Sequence, residues 1–132
     1  MSYFLLPSQV YAGVGEWTQA AGTSSNRTWS SIASSADGTK LVAAPDYGSI
    51  WTSTNSGETW QESVGTENKA WKSLTSSADG TKLAVIQDFS LWTSTDSGVT
   101  WHKIPNTPPY SWKSITSSAD GTKLAACSAN ND

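Results

Sequence analysis

Two aspartates recur at matching places along the chain and raise the question of hydrolytic chemistry. Asp46 and Asp88 lie in the segments Pro45-Asp-Tyr-Gly48 and Gln87-Asp-Phe-Ser90. A glycoside hydrolase needs two carboxyl groups placed across the scissile bond. Because these two recur with a repeat, they predict equivalent places in successive units rather than one asymmetric pair. The competing interpretation is an aspartate that forms a turn.

Other residues with the chemistry for catalysis or metal binding are scarce. His102 is the only histidine and predicts a solvated surface residue rather than a base or a ligand. Cys127 is the only cysteine, which excludes an intramolecular disulfide and a cysteine cluster for zinc. We expect it to be a small buried apolar residue instead of a nucleophile. No catalytic residue, cofactor or metal site is predicted.

Composition and charge argue against nucleic acid as a partner and against a membrane-spanning segment. The 132 residues suffice for one compact domain, and the net charge is -3. The eight Lys and Arg residues are scattered through the chain, so nucleic acid is not an expected partner. The first residues lack the features of a signal peptide, and no apolar run is long enough to cross a membrane. Localisation stays open between the cytoplasm and export by a non-classical route.

A repeat of about 41 residues organises the whole chain. The segment 29–41, Trp-Ser-Ser-Ile-Ala-Ser-Ser-Ala-Asp-Gly-Thr-Lys-Leu, recurs with few changes at 71–83 and 112–124. A second segment at 50–60, Ile-Trp-Thr-Ser-Thr-Asn-Ser-Gly-Glu-Thr-Trp, returns at 91–101. The repeats therefore have to be built from the same structural unit.

Each repeat divides into four short extended runs separated by turn residues, as at 29–35, 40–45, 49–54 and 59–63. The turns contain Asp-Gly or Ser-Gly pairs, which tolerate the positive φ of tight hairpins. Four strands in about 41 residues is the spacing of a β-propeller blade. The predicted fold class is all-β, a β-propeller of four-stranded antiparallel blades with three blades per chain.

The turn between the third and fourth strands carries a familiar motif. The segment 94–101, Ser-Thr-Asp-Ser-Gly-Val-Thr-Trp, resembles the Asp-box, or BNR, repeat of sialidase-type propellers, and 53–60 matches it with Asn in place of Asp. The resemblance implies a folding device in which the Asp bonds backbone N–H groups of its own turn and the Trp packs between blades. The structural box residues are Ser53, Asn55, Gly57, Trp60, Ser94, Asp96, Gly98 and Trp101.

The same resemblance raises sialidase activity, which composition opposes. Sialidases are known for three arginines that clasp the substrate carboxylate, together with a Tyr nucleophile and an Asp acid. Arg27 is the only arginine, so even two chains would supply only two. Because lysine does not reproduce bidentate guanidinium recognition, a non-enzymatic, lectin-like member is predicted.

The two ends of the chain predict one blade split between them. Glu16-Trp-Thr-Gln19 is similar to the fourth strand around Trp60, and Ser2-Tyr-Phe-Leu5 stands for a third strand, with a longer and divergent hairpin at 7–15 in place of the box. The predicted units are the outer strands of the split blade at 1–19, complete blades at 29–63 and 71–104, and the inner strands of the split blade at 112–132.

Three blades are too few to close a ring, since propellers use roughly four to eight. We expect a homodimer that forms one six-bladed ring, in which each C-terminal half blade is completed by the partner's N-terminal half. Such strand-exchanged closure removes exposed sheet edges. A fragment of a longer propeller is the competing interpretation.

The loops that differ between repeats predict where a ligand binds. The loops from second to third strand and the connections between blades, 18–28, 61–70 and 102–111, emerge on one face of a propeller. An aromatic ring can cover the apolar face of a sugar while Asp or Asn groups bind its hydroxyls. The three tryptophans at strand starts have packing between blades as the alternative. The predicted ligand-binding residues are Trp29, Asp46, Tyr47, Trp71, Asp88, Phe89, Tyr110 and Trp112.

These patterns predict a carbohydrate-binding protein with several weak sites that gain strength by multivalency. A protein-interaction scaffold that uses the same face is the alternative. A glycoside hydrolase ranks last, because no convergent acid, base and electrophile can be assembled from the residue types available.

Overall fold

Short extended runs between Asp-Gly and Ser-Gly turns form β-strands throughout the computed structural model, which describes residues 11–12, 18–20 and 27–129. The first complete unit, blade A, is a four-stranded antiparallel sheet in the order β3-β4-β5-β6. Its strands are β3 Trp29–Ser34, β4 Leu41–Pro45, β5 Trp51–Ser53 and β6 Gln61–Glu62.

The second unit, blade B, repeats this topology with strands β7 to β10 in sequence order. Its strands are β7 Trp71–Ser76, β8 Leu83–Gln87, β9 Ser90–Ser94 and β10 His102–Lys103. The prediction of antiparallel four-stranded sheets is therefore confirmed for both complete repeats.

Two hairpins flank the complete blades. The N-terminal hairpin consists of β1 Tyr11–Ala12 and β2 Thr18–Gln19, and the C-terminal hairpin consists of β11 Trp112–Ser117 and β12 Leu124–Ser128. Each forms a separate two-stranded sheet among the described residues.

The N-terminal hairpin differs in detail from its prediction. The expected fourth strand is present at Thr18–Gln19, but its partner is Tyr11–Ala12, which lies within the segment predicted to be a loop. Tyr11 pairs with Gln19 as Trp51 pairs with Glu62, so this connection is three residues shorter than the box turn, whereas a longer hairpin was predicted. Residues 2–5, where a strand was expected, lie outside the described residues.

Both faces of the second strand are covered in each complete blade, which explains the continuous apolar run of that strand. Successive side chains of a strand point to opposite faces. Val42 and Ala44 of β4 therefore pack with Leu74 and Val85 of blade B, while Ala43 packs with Trp60 on the other face. The hydrophobic core is thus a series of layers between neighbouring blades.

Two further layers involve the flanking hairpins. Ile86 and Leu91 of blade B pack with Ile115 of the C-terminal hairpin. Ala20, directly after β2, packs with Ala43 and Trp60 of blade A. The hairpins therefore stand in the places that the preceding and following blades of a propeller occupy.

Hydrogen bonds between blades repeat with the sequence. The Leu74 N–H donates to Ser31 Oγ at 3.1 Å, and the Ile115 N–H donates to Ser73 Oγ at 3.3 Å. A second series, which we call the alanine staircase, is formed by the turns between first and second strands. Its bonds run from Ala36 N to Ala78 O and from Ala78 N to Ala119 O, each 2.7 Å long.

Candidate functional site

The loop between the second and third strands presents an exposed aromatic ring in each complete blade. Tyr47 between β4 and β5 is 63% exposed, and Phe89 between β8 and β9 is 57% exposed. Asp88 and Phe89 form a two-residue turn closed by the Gln87–Ser90 pair, with Asp88 at φ 44°. Each ring therefore stands at the tip of a hairpin, directly after an aspartate.

Backbone and side-chain hydrogen bonds hold the Tyr47 loop to the connection that enters blade B. The Gly48 N–H donates to Lys69 O at 3.0 Å, and the Trp71 indole N–H donates to Gly48 O at 2.8 Å. At the start of the loop, directly after β4, the Asp46 N–H donates to Thr28 O at 2.7 Å. The loop is thus fixed at both ends before any ligand binds.

Two lysines stand beside aromatic rings of the second blade. Lys72 Nζ lies 5.9 Å from the centroid of the Phe89 ring, and Lys69 Nζ lies 5.5 Å from that of Trp92. Lys69 Nζ also donates to Gly65 O at 3.0 Å, which fixes its position. Neither lysine was among the predicted site residues. The Trp-Lys-Ser start of the repeat, which places Lys72 directly after Trp71, was the available signal.

The connection after blade B contributes a third exposed ring. Tyr110 is exposed, and its ring centroid lies 5.6 Å from that of Trp112 at a tilt of 56°. Trp112 in turn packs against the layer that contains Ile115. One member of this aromatic pair therefore belongs to the core, and the other is accessible.

The three tryptophans at strand starts are not equivalent to these exposed rings. Trp71 is only 1% exposed and lies in the layer between blades A and B, which agrees with the alternative interpretation of packing between blades. Trp29 and Trp112 are half-buried and pack against the neighbouring layers. The physical reason is size, because a large indole at this position fills the gap between twisted blades.

The two aspartates of these loops differ in their surroundings. Asp46 is exposed, whereas Asp88 is half-buried and adopts a positive φ. A left-handed conformation is common for Asp in tight turns, so the turn-forming interpretation accounts for Asp88. Each aspartate directly precedes an exposed aromatic residue in the sequence, and a carboxylate can accept hydrogen bonds from a ligand's hydroxyl groups.

The opposite face carries a second set of aspartates, all bonded within their own turns. Asp96 Oδ1 accepts from Ser94 Oγ at 2.8 Å and from the Thr100 N–H at 2.9 Å, and Thr100 Oγ1 donates to Oδ2 at 2.6 Å. In the other box turn, Asn55 Oδ1 accepts from Ser53 Oγ at 3.0 Å and from the Thr59 N–H at 2.9 Å.

The Ala-Asp-Gly-Thr turns use the same chemistry. Asp37 Oδ1 accepts from Ser35 Oγ at 2.6 Å and from the Thr39 N–H at 3.0 Å, and Asp79 and Asp120 repeat this pattern. The Ser35 and Thr39 hydrogen bonds lower the pKa of Asp37 from 3.8 to about 2. A carboxyl group held ionised in this way is a poor proton donor, so these turns do not supply a general acid.

The remaining chemistry is limited within the described ranges. No group of three His, Cys, Asp or Glu side chains there could hold a metal ion. In the same part of the chain, no helix has the length and apolar character needed to cross a membrane. Cys127 is exposed, which corrects the expectation of a buried residue. It is uncovered because, among the described residues, no following unit packs on this face of β12 as the C-terminal hairpin packs on the face of β8.

Comparison with known proteins identifies the fold. Neither a protein-family model nor a curated protein sequence matches the chain. YCF48 bound to D1 peptide is 14% identical, with a TM-score of 0.59 over 78% of this chain and 40% of that one. YCF48 from Cyanidioschyzon merolae is 16% identical, with a TM-score of 0.60 over 90% of this chain and 40% of that one.

A glycoside hydrolase has a similar fold. An ancestral GH74 enzyme is 20% identical, with a TM-score of 0.66 over 83% of this chain and 17% of that one. The chain therefore spans 40% or less of the length of these three proteins. They are β-propellers, and at this level of identity the likeness supports a propeller fold and nothing more specific.

Proposed function

We propose that this propeller is a non-enzymatic carbohydrate-binding protein whose ligand lies on the face formed by Tyr47, Phe89 and Tyr110. The observation that carries the proposal is the repetition of an exposed ring after an aspartate at the same hairpin tip of both complete blades. A ring of this kind covers the apolar face of a pyranose, and the carboxylate accepts from its hydroxyl groups.

We also propose that two chains close one six-bladed, strand-exchanged ring. Such a ring would double the number of aromatic hairpin tips on this face. Each site alone is shallow and would bind weakly, but simultaneous occupation of linked sites can raise overall affinity by roughly 10²–10⁴. The natural ligand would therefore be a surface or polymer that presents the same sugar many times.

A glycan array probed with the full chain tests the carbohydrate proposal, followed by titration of the best glycan against variants. Tyr47→Ala with Phe89→Ala should weaken binding per site, by about fivefold for each ring if it contributes about 1 kcal/mol. Val99→Ala is the matched control, because Val99 is an exposed apolar residue in the box turn on the opposite face. No binding by the folded protein, or equal losses in both variants, would contradict the proposal.

Peptide binding on the same face is the second candidate. It is favoured by the structural likeness to YCF48, which has been seen bound to the D1 peptide. Lys72 beside Phe89 would suit a peptide with an aromatic or acidic side chain. A peptide array distinguishes the two candidates, because binding that free sugars do not displace would favour the peptide.

A further inference from the structure

The C-terminal hairpin has an apolar surface that the described chain leaves uncovered. Ala125 and Cys127 of β12 hold the places that Ala84 and Ile86 hold in β8. Ala84 and Ile86 are buried against the next unit, whereas Ala125 and Cys127 are exposed. Because β8 and β12 are the same strand of successive repeats, we attribute the difference in exposure to the unit that packs beside β8 and not to the sequence.

A cavity marks the place of the outer half of this blade. It has a volume of about 150 Å³ and lies between blade B and the C-terminal hairpin. The equivalent space between blades A and B is only about 10 Å³, because Ser97 of the blade B box turn lines it. In that interface Gly98 packs so closely that an added Cβ would lie 2.7 Å from Thr52 Cγ2. The residues that line the larger cavity include Lys82, Thr93, Ser117, Gly121 and Leu124.

Blade A has a complementary surface on its other side. Ile32 is 53% exposed, although its equivalents Leu74 and Ile115 are 6% and 5% exposed. A Cβ on Gly38 would meet nothing within 4 Å, whereas one on Gly80 would lie 2.8 Å from Lys40 Cδ. The inner part of a preceding blade would cover both positions.

The N-terminal hairpin is the outer half that the C-terminal hairpin lacks. Its Tyr11–Gln19 and Ala12–Thr18 pairs match the Trp51–Glu62 and Thr52–Gln61 pairs of β5 and β6. In blade A the third strand pairs with β4 through Val42–Thr52 and Ala43–Trp51. The N-terminal hairpin has no such inner strand among the described residues, and β12 has no such outer one.

We propose that β1 of a second copy of this chain pairs with β12, an inference that rests on the two-chain ring proposed above. Transferring the blade A register places Ala12 of the second copy opposite Ala125 and Tyr11 of the second copy opposite Ala126. Strands β1 and β2 of the second copy then take the places of the third and fourth strands beside the 150 Å³ cavity. Two identical junctions then join the two chains, with no sheet edge left open.

The inter-blade hydrogen bonds extend across each junction. Ser31 and Ser73 accept from the next blade within one chain, so Ser114 Oγ accepts from the Ile32 N–H of the second copy. Ala125 and Cys127 pack against the layer that contains Ile32 of the second copy. The exposed thiol of the single chain therefore becomes a buried one, which makes Cys127 a reporter of this interface.

Light scattering and thiol labelling of the unmodified protein at micromolar concentration test the inference together. We expect a mass twice the 14.0 kDa of one chain. Ellman's reagent should react with Cys127 at least about 100-fold more slowly than with the chain unfolded in urea, because access then requires the junction to open.

Ala125→Arg places a long charged side chain in the proposed junction, and Val99→Arg is the matched control on an exposed site in the box turn of blade B, which does not line the cavity. We expect Ala125→Arg to have the mass of one chain and a reactive Cys127, with its β-sheet circular dichroism retained. Val99→Arg should keep both the doubled mass and the protected thiol.

The outcomes separate the proposals. A two-chain particle in which Cys127 reacts as fast as in the unfolded chain would overturn this junction while leaving a two-chain ring in place. A single-chain mass for the unmodified protein would overturn both. An Ala125→Arg variant that keeps the doubled mass and the protected thiol would also overturn the junction. Glycan binding by the same samples reports separately on the ligand.

Discussion

At the scale of single residues, the box turns show which property of the Asp side chain matters for folding. Asn55 and Asp96 hold equivalent places, and in both the Oδ1 atom accepts from a serine hydroxyl and from a threonine N–H. An amide can therefore replace the carboxylate because the turn needs an acceptor oxygen more than it needs a charge.

The bonded aspartates predict that stability falls in acid. The pKa values of Asp37, Asp96 and Asp120 are lowered from 3.8 to about 2 by hydrogen bonds, led by Ser35, Thr100 and Ser118 respectively. Because the folded pKa lies below the unfolded one, these groups stabilise the fold fully above pH 4, and the contribution is lost as the pH falls towards 2. Urea midpoints measured at pH 7, 4 and 2 should show the loss within that window.

Asp96→Asn is the matched variant for this test, since Asn55 already serves in the sister turn. The variant should be folded at pH 7 and lose less stability between pH 4 and 2 than the unmodified protein, because one titrating group is gone. A urea midpoint that stays level or rises as the pH falls from 4 to 2 would contradict the assignment of these carboxylates.

Residue types alone predicted the turn aspartates better than the aromatic site. Asp-Gly and Ser-Gly pairs form turns through contacts with residues only a few positions away, so a short stretch of sequence is enough to predict their role. Trp71 and Phe89 are both aromatic residues in the repeats, yet the first is buried between blades and the second stands at a hairpin tip. That difference depends on the neighbouring blade, which no single repeat contains.

At the scale of elements, the box turn acts as a spacer between blades. Gly98 has φ +86°, and an added Cβ would lie 2.7 Å from Thr52 Cγ2 and 3.3 Å from Leu83 Cδ1. The glycine is thus required by its backbone conformation and by the close approach of blade A.

Gly98→Ala should therefore destabilise the protein by more than Gly65→Ala, its matched control. Gly65 has φ +82° with nothing within 4 Å of an added Cβ, so it carries only the left-handed strain of about 1–2 kcal/mol. Gly98→Ala adds overpacking of about 1–3 kcal/mol. Chemical unfolding of both variants measures the difference, and equal losses would show that the blades separate easily at this turn.

Strand positions were predictable from the repeat wherever the repeat is intact. The expected runs 29–35 and 40–45 correspond to β3 and β4 within one residue at each end. The error occurred at the N-terminal hairpin, where the shorter connection removes the Ser-Gly signal and shifts the third strand to Tyr11–Ala12. A connection that is three residues shorter moves the paired strand along the sequence without changing the composition noticeably.

At the scale of the whole molecule, the period of the repeat predicted the propeller fold, whereas the blade split between the two ends of the chain stays a prediction. The partner that completes the cut blade belongs to the proposed ring and cannot be read from any repeat within one chain. What the structure adds is the set of exposed positions, such as Ile32 and Leu124, whose equivalents in blade B are buried.

A ring of two chains predicts that thermal stability depends on protein concentration. If unfolding separates the chains, the folded state is favoured by mass action, with about 1.4 kcal/mol of association free energy for each tenfold increase in concentration. Between 1 and 100 µM protein, the folded ring gains about 2.7 kcal/mol of stability relative to the separated, unfolded chains. The unfolding temperature measured by calorimetry should therefore rise over this whole range. A tandem fusion of two copies is the control, because its junctions are intramolecular. A constant midpoint for the unfused protein would contradict the ring.

The alanine staircase has a direction, and direction restricts assembly. Each bond runs from the N–H of one turn to the carbonyl of the turn that follows, so the series from Ala36 to Ala119 has a donor end and an acceptor end. The Ala119 N–H and the Ala36 carbonyl, the two groups left over among the described turns, can satisfy each other but not their own kind. In the proposed ring, copies of this chain would therefore join head to tail, because two like ends would leave both groups without a hydrogen-bond partner.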